Sequence, residues 1–404
     1  MISRGYELLD LMILDNEDRI PSHIYEHIYL DGRIDVDRLA EAVSQVAVIV
    51  PETLWRLDAR HVRFKQAGFT VGDVVTESQH LDCQSDCGFP WDLRGDTQVK
   101  IRVIHGPRTD SLVIGFSHVL ADGMGVLEYV SLLADAYNGV LRPVRNERSA
   151  DEIMASATFG PQTESEKRAS EIASMGLPYE GGGKEYHCYR VTLSVSTMDR
   201  IHSLARSQSA TLNDVFFTAC ARVAARILDV DQIAMRCPVD LRPLVAPRAL
   251  TVANLTSLYR MAIDVGKDDS FSTTLEQVHQ EILLQRERRR YLFDFPTLAA
   301  IPAWYPMFLI KRAIRRDYLV RPVNYSNCGI QPHVDFAGVG VELSFMTGAY
   351  AAYPEFPVTV SSFNGTTTFA VTLMGDEERA DAGEKTLGRI IKEMEDWVRD
   401  ASQS

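Results

Sequence analysis

The chain is 404 residues long, more than one hydrophobic core usually holds, so two domains or two large subdomains are expected. Hydrophobic residues make up 46% and charged residues 24%, a globular composition, and a net charge of -13 argues against broad nucleic-acid binding, which needs a basic face. The opening MISRGYELLDLMILDNEDRIP has no basic lead and no small-residue cleavage site, and no run is apolar for long enough to cross a bilayer. Without a secretion signal, the cysteines at 83, 87, 188, 220, 237 and 328 read as reduced thiols, and a cytoplasmic protein is expected.

In chain order, Ile24, Glu26, Ile28 and Leu30 alternate with His23, Tyr25, His27 and Tyr29, which is strand periodicity. Asp31-Gly32 is a turn signal, and Asp35 is an N-cap for a helix with Leu39, Ala42, Val43 and Val46 on one face, stopped by Pro51. Val99 to His105 and Ser111 to Phe116 are strands joined by the turn-like GPRTD, a hairpin pattern. Met124 to Asn138 reads as a helix with Val126, Leu127, Val130 and Leu133 on its apolar side and Gly139 as its stop.

From 142 to 184 the sequence turns polar and Gly-rich and reads as a linker or crossover with one helix, Glu164 to Met175. A second half over 185–404 then opens with a strand, Tyr186 to Ser194. Helices follow at Ser196 to Gln208 and, capped by Thr211, at Leu212 to Leu228. Next come a strand (Ile233 to Pro238), a charged helix (Ser270 to Arg290) and the proline-broken apolar run FDFPTLAAIPAWYPMFLI. Strands at Phe356 to Ser361 and Thr367 to Leu373 precede a final helix, Asp381 to Ala401. There is no fixed-period repeat, and the layout is mixed α/β in two halves, the first being 1–141.

Several motifs compete for the chemistry. HIYEH (His23 to His27) fits the H-x-x-E-H zinc pattern, but its period is two, and residues four apart on a strand are separated by ~13 Å at ~3.3 Å per residue, too far to share one ion. Asp122-Gly-Met-Gly125 follows a strand and opens a helix, but the third glycine of a dinucleotide loop would fall on Glu128, whose carboxylate would repel a pyrophosphate. His80, Cys83 and Cys87 lack a fourth metal partner, and there is no P-loop and no G-x-S-x-G elbow. No metal site is expected.

FSHVLADGMG (Phe116 to Gly125) places His118 at the end of an apolar strand and Gly123 at the start of a helix, where a side chain can project into a cleft from a rigid scaffold. His118-Val-Leu-Ala-Asp122-Gly123 resembles the H-x-x-x-D-G motif of the CoA- and carrier-dependent acyltransferases. These include chloramphenicol acetyltransferase, the condensation domains of non-ribosomal peptide synthetases, plant BAHD acyltransferases and stand-alone relatives. The likeness runs along most of the chain. IYLDGRIDVDRLAEAVSQV is similar to the family's opening strand, turn and helix, and PETLWRLD to the segment after it. PWDLRGDTQVKIRVIHG leads into the motif strand, ATLNDVFFTACARVAARI resembles the helix of the second half, and CPVDLRP the segment with the motif aspartate's arginine partner. VANLTS and YSNCG resemble the two later Asn-containing segments beside the active-site tunnel. Two features depart from the wider pattern. Ser117 stands where condensation domains carry a first histidine, and Asp335 to Gly340 only loosely echoes the D-F-G-W-G loop of the BAHD branch. The stand-alone, condensation-like branch fits best.

The resemblance implies two chloramphenicol-acetyltransferase-like halves, each a mixed sheet covered by helices, with an active-site tunnel between them. It implies acyl transfer from a thioester, acyl-CoA or a phosphopantetheinyl carrier protein, to the hydroxyl or amine of a small-molecule acceptor in natural-product or lipid biosynthesis, with no bound cofactor and a monomeric chain. His118 is the expected general base, a role suited to an imidazole of ordinary pKa ~6.5. Asp122 is expected to turn from the substrates and pair with Arg242, and Gly123 to permit close helix approach and offer a backbone N–H to an oxyanion. Ser117, Asn254, Ser326 and Asn327 are tunnel candidates. The basic stretches Lys311 to Arg321 and Arg286 to Arg290 are either solvated helix ends or contacts for the phosphates of CoA or an acidic carrier. The rival reading is a catalytically silent condensation-like module that binds or recruits beside a biosynthetic assembly line.

Overall fold

The computed structural model describes residues 3–5, 7, 9–10, 22–58, 60–61, 63–79, 88–141, 143–155, 157–179, 182–245, 250–293, 309 and 320–403. The chain runs β1 (Ser3–Gly5), β2 (His23–Leu30), α1 (Val36–Ile49), β3 (Trp55–Asp58), β4 (Arg63–Gln66), β5 (Val75–Gln79), β6 (Val99–His105), β7 (Asp110–Ser117) and α2 (Gly123–Tyr137). The crossover carries α3 (Asp151–Ala155) and α4 (Glu164–Glu171). Then follow β8 (Glu185–Leu193), α5 (Val195–Ser207), α6 (Leu212–Leu228), β9 (Gln232–Asp240), β10 (Thr256–Asp264) and α7 (Phe271–Glu287). The last elements are β11 (Asn324–Ile330), β12 (Val341–Thr347), β13 (Pro357–Phe363), β14 (Thr366–Gly375) and α8 (Glu377–Ala401).

The first sheet has the order β12-β2-β7-β6-β5, antiparallel except for the parallel β5–β6 pair. One face of it packs beneath α1 and α2, with Ile24 and Ile28 of β2 and Ile114 and Phe116 of β7 in the same core as Leu39 and Val126. Helix α1 starts where Asp35 accepts a hydrogen bond from the Arg38 N–H at 3.1 Å, and it buries Leu39, Ala42, Val43 and Val46, as its apolar spacing dictates. The other face is covered as well: Tyr25, Ile104 and Val113 pack with Tyr350, Phe89 and Trp91. The alternation along β2 therefore separates two buried faces, and His23 and His27 lie inside at 3% and 2% exposure.

The second sheet has the order β11-β13-β14-β8, with β11 parallel to β13, and shares one core with α6 and α8. Strands β9 and β10 form a separate antiparallel ribbon.

Strand β12 ties the stretches 1–141 and 185–404 together. It lies far into 185–404, yet it pairs with β2 and completes the first sheet. Without it, β2 would be an open edge with unpaired backbone groups. It also meets the second sheet, where the Met346 N–H donates to Ser361 Oγ at 3.0 Å.

The crossover is also more than a linker. Asn146, Arg148, Ile153, Thr163, Glu166 and Leu177 are buried in it. Its charges read as solvated because their partners lie far away in sequence: Glu166 pairs with Arg290 at 2.9 Å, and Thr163 Oγ1 donates to Glu281 at 2.6 Å. Helix α4 ends at Glu171, short of the expected Met175, because Ile172 turns extended and the Met175 N–H bonds the Val320 carbonyl at 3.2 Å. Among the described residues no helix is long and apolar enough to cross a membrane.

Candidate active site

Strand β7 is an apolar run that ends at Ser117, and the chain turns at once: the Leu120 N–H bonds the Ser117 carbonyl at 2.9 Å, and Asp122 caps α2. His118 sits in this turn, half-buried, its N–H donating to the Ser22 carbonyl at 2.6 Å. It lines a cavity of about 400 Å³ whose walls come from both halves. Its Nδ1 is buried and makes no hydrogen bond, which leaves Nε2 as the ring nitrogen open to the cavity.

Asp122 reaches the cavity edge but is committed elsewhere. Its Oδ1 accepts from Arg242 Nη2 at 2.9 Å and the Gly125 N–H at 2.9 Å. Its Oδ2 accepts from Arg242 Nη1 at 3.2 Å, the Leu255 N–H at 2.7 Å and Thr256 Oγ1 at 2.7 Å. Burial pushes the carboxyl pKa up, but the Arg242 charge, its two-pronged hydrogen bond and the two backbone N–H groups outweigh it and hold the pKa below the usual carboxylate value. With these donors on its oxygens, Asp122 is no partner for the His118 ring. Arg242 also donates to the Thr251 and Ala253 carbonyls, at 2.9 and 3.1 Å, and to Asp240 at 3.0 Å. Glu128 accepts from Thr251 Oγ1 at 2.6 Å. The start of α2 is thus clasped to the segment leading into β10.

Close helix approach occurs at Gly125, not at Gly123 as expected. A Cβ on Gly125 would meet the Ala253 backbone at 2.8 and 2.9 Å, whereas one on Gly123 would meet Cys328 Sγ at an ordinary 3.4 Å. Gly123 does line the cavity, as the first residue of α2. Asn254, Ser326 and Asn327 line it too. Asn327 is braced by Asn213, whose Oδ1 accepts from its Nδ2 at 3.1 Å. Ser117 is placed differently: it is fully buried, its Oγ has no partner, and it is not part of the cavity wall. Strand alternation accounts for this, because Ser117 pairs with His23 while His118 has left the strand.

The sequence reading missed Met124, Thr256, Asn324, Met346 and Thr359, which also line the cavity. Met124 and Thr359 lie on elements the sequence does mark, but nothing local says that they face the cavity, and the strands that carry Thr256, Asn324 and Met346 were not read.

The competing motifs take structural places. His23 packs on Trp91 with ring centroids 4.2 Å apart, and burial lowers its pKa to about 4. His27 bonds Thr347 Oγ1 at 3.0 Å and stacks on Phe345, and burial, then Arg190, lower its pKa to about 3. No group of His, Cys, Asp and Glu among the described residues is arranged to hold a metal ion. Cys188, Cys220, Cys237 and Cys328 are free thiols; His80, Cys83 and Cys87 lie outside the described residues. Asp335 to Gly340 is a turn against α2, where Phe336 packs edge-on to Tyr137. In the stretch Arg286 to Arg290, Arg290 is neither a solvated end nor a phosphate contact, since it is buried against Glu166. Residues 311–319 of the other basic stretch, and 294–308 of the apolar run before it, lie outside the described residues.

Three solved structures are similar to this chain over nearly its whole length. Polyketide synthase associated protein 5 from Mycobacterium tuberculosis is 16% identical with a TM-score of 0.69, the match covering 97% of this chain and 96% of that one. The first condensation domain of the calcium-dependent antibiotic synthetase, in complex with a substrate analogue, is 14% identical with a TM-score of 0.70, covering 99% and 97%. Trichothecene 15-O-acetyltransferase from Fusarium sporotrichioides is 13% identical with a TM-score of 0.65, covering 97% and 95%. The chain therefore shares the fold of these proteins, two halves each built on a mixed sheet covered by helices. No family model and no curated protein matches the sequence.

Proposed function

We propose that the chain is an acyltransferase that moves an acyl group from a thioester to a hydroxyl or amine, with His118 as general base. The observation that carries this reading is the His118 ring, with Nε2 open to a cavity between the halves and Nδ1 buried. At about 400 Å³ the cavity falls within the size range of small-molecule sites, roughly 300–1,000 Å³. Its wall is partly apolar, with Leu9, Ile24, Leu258 and Met346, which suits an acyl chain.

In this reading Nε2 takes the proton from the acceptor as its oxygen or nitrogen attacks the thioester carbonyl carbon. The carbonyl oxygen becomes an oxyanion beside the first turn of α2, where the Gly123 N–H is the candidate donor. Collapse expels the thiolate, which recovers the proton from the imidazolium. No covalent enzyme intermediate and no bound cofactor is needed. The donor is acyl-CoA or a carrier-protein thioester, and the chain works as a monomer, since both walls of the site come from one chain.

The test is product analysis of the purified protein beside His118→Ala, each given acyl-CoAs and acyl-carrier thioesters with mixed alcohols and amines. We expect transfer by the wild type and a loss of about 10²–10⁴-fold in the variant, with circular dichroism unchanged. Transfer by neither protein, or equal transfer by both, would overturn the reading in favour of a binding module.

A further inference from the structure

We infer that Asp10, Arg148 and Asn254 are positioning residues that place the His118 ring by holding the backbone of its loop, an inference that rests on the acyl-transfer role proposed for His118. Three successive carbonyls of this loop are tied down by buried side chains. Asn254 Nδ2 donates to the carbonyls of His118 and Val119, each at 3.0 Å. Arg148 Nη1 donates to the carbonyl of Leu120 at 2.5 Å and to that of Val252 at 2.9 Å. Asp10 joins the two donors, accepting from Arg148 Nη2 at 2.7 Å and from Asn254 Nδ2 at 2.8 Å. Asn146 holds Val252 from both sides, accepting from its N–H at 2.8 Å and donating to its carbonyl at 3.1 Å. Asp10 is 0%, Arg148 1% and Asn254 4% exposed.

Two features separate positioning from stability alone. The first is at the ring. With Nδ1 unpartnered, no side-chain hydrogen bond orients the imidazole, so its place depends on where the main chain holds it. A misplacement of about 1 Å in a reacting group can cost on the order of 10²-fold in rate. The second is the form of the network. Asn254 leaves its own Oδ1 buried without a partner, and Arg148 does the same with Nε. Such orphans are disfavoured in a group kept only for packing. They follow if the amide is retained for its Nδ2, which reaches two loop carbonyls and Asp10 together. The crossover supplies the Arg, the N-terminal segment the Asp, and the run before β10 the Asn, so three distant parts of the chain converge under one loop.

Asn254→Ala and Arg148→Lys, made in the full chain, test this. The lysine keeps a cation beside Asp10 but lacks the second arm that reaches Leu120, so it decides the matter if Asn254→Ala does not fold. Steady-state kinetics would use the best thioester and acceptor from the panel above, and the His118 titration would be followed by NMR on histidine-labelled protein. We expect kcat to fall about 10–100-fold with KM within about twofold, and the His118 titration to move while the other histidines titrate as before. Wild-type kcat and an unmoved His118 titration in the folded variants would overturn the proposal. If the wild type itself transfers nothing, the acyl-transfer reading fails, and the titration still decides whether these residues place His118.

Discussion

The Asp122–Arg242 and Asp10–Arg148 pairs both brace the turn between β7 and α2, and they treat their acids in opposite ways. Asp122 receives two N–H groups of the backbone, a threonine hydroxyl and both arms of its arginine, and its pKa stays below the ordinary 3.8 although burial pushes it up. Asp10 receives Arg148, Asn254 and the Glu7 N–H, and burial prevails over them, raising its pKa. Glu26 extends the series. Among the described residues no cation pairs with it; it accepts from the Ser344 hydroxyl, and burial pushes it up to about 8. The donors aimed at a buried carboxylate, and not the mere presence of an arginine, set the direction of its shift.

The largest expected effect is from Asp122→Ala, which takes from Arg242 its buried two-pronged partner and leaves it the more exposed Asp240 and Glu128. It should lose about 3–5 kcal/mol in a urea melt and most of the activity. Normal stability with normal rate would break the contrast between the pairs.

The pH dependence sharpens it. The stabilisation from Asp122 is present above the ordinary carboxylate value and is lost as the pH falls through its lower folded value. Glu26 has the opposite sign. Its contribution is full below 4.5, the ordinary value, and is lost as the pH rises towards about 8. Glu26→Gln should therefore flatten the fall in melting temperature between roughly pH 5 and 8. Parallel wild-type and variant curves would show that Glu26 is charged throughout.

Glycine substitutions give the smallest expected effects. Gly125 donates to Asp122 and packs on the Ala253 backbone, so Gly125→Ala should cost about 1–3 kcal/mol by forcing α2 away from the clasp. Gly123→Ala, with only ordinary contacts, should stay within about 1 kcal/mol. Equal losses in denaturant melts would show that the approach is not specific to Gly125.

Much of the local structure was legible in the residues. Asp35 and Thr211 cap helices where their side chains accept from N–H groups three residues on. The strand–turn–helix around His118 followed from an apolar run, a glycine at the helix start and a helical apolar face. The site was legible in part. His118, Asp122, Arg242, Asn254, Ser326 and Asn327 converge on the cavity and its clasp, while Ser117 does not. Asn254 was read as a wall residue, but its amide nitrogen points to the loop backbone, and a sequence cannot say which way an amide faces.

Caps and amphipathic faces are properties of a few neighbouring residues, so the sequence by itself determined the longer helices, the central strands and the loop that presents His118. The tertiary structure alone decided that β12 closes the first sheet, that the polar crossover is buried, and that Asp10 and Arg148 meet beneath the loop. Arg148 and Asp10 are 138 positions apart, and β12 pairs with a strand more than 300 positions earlier. Such meetings depend on how the chain crosses itself and on which buried charges find partners, which no local pattern records.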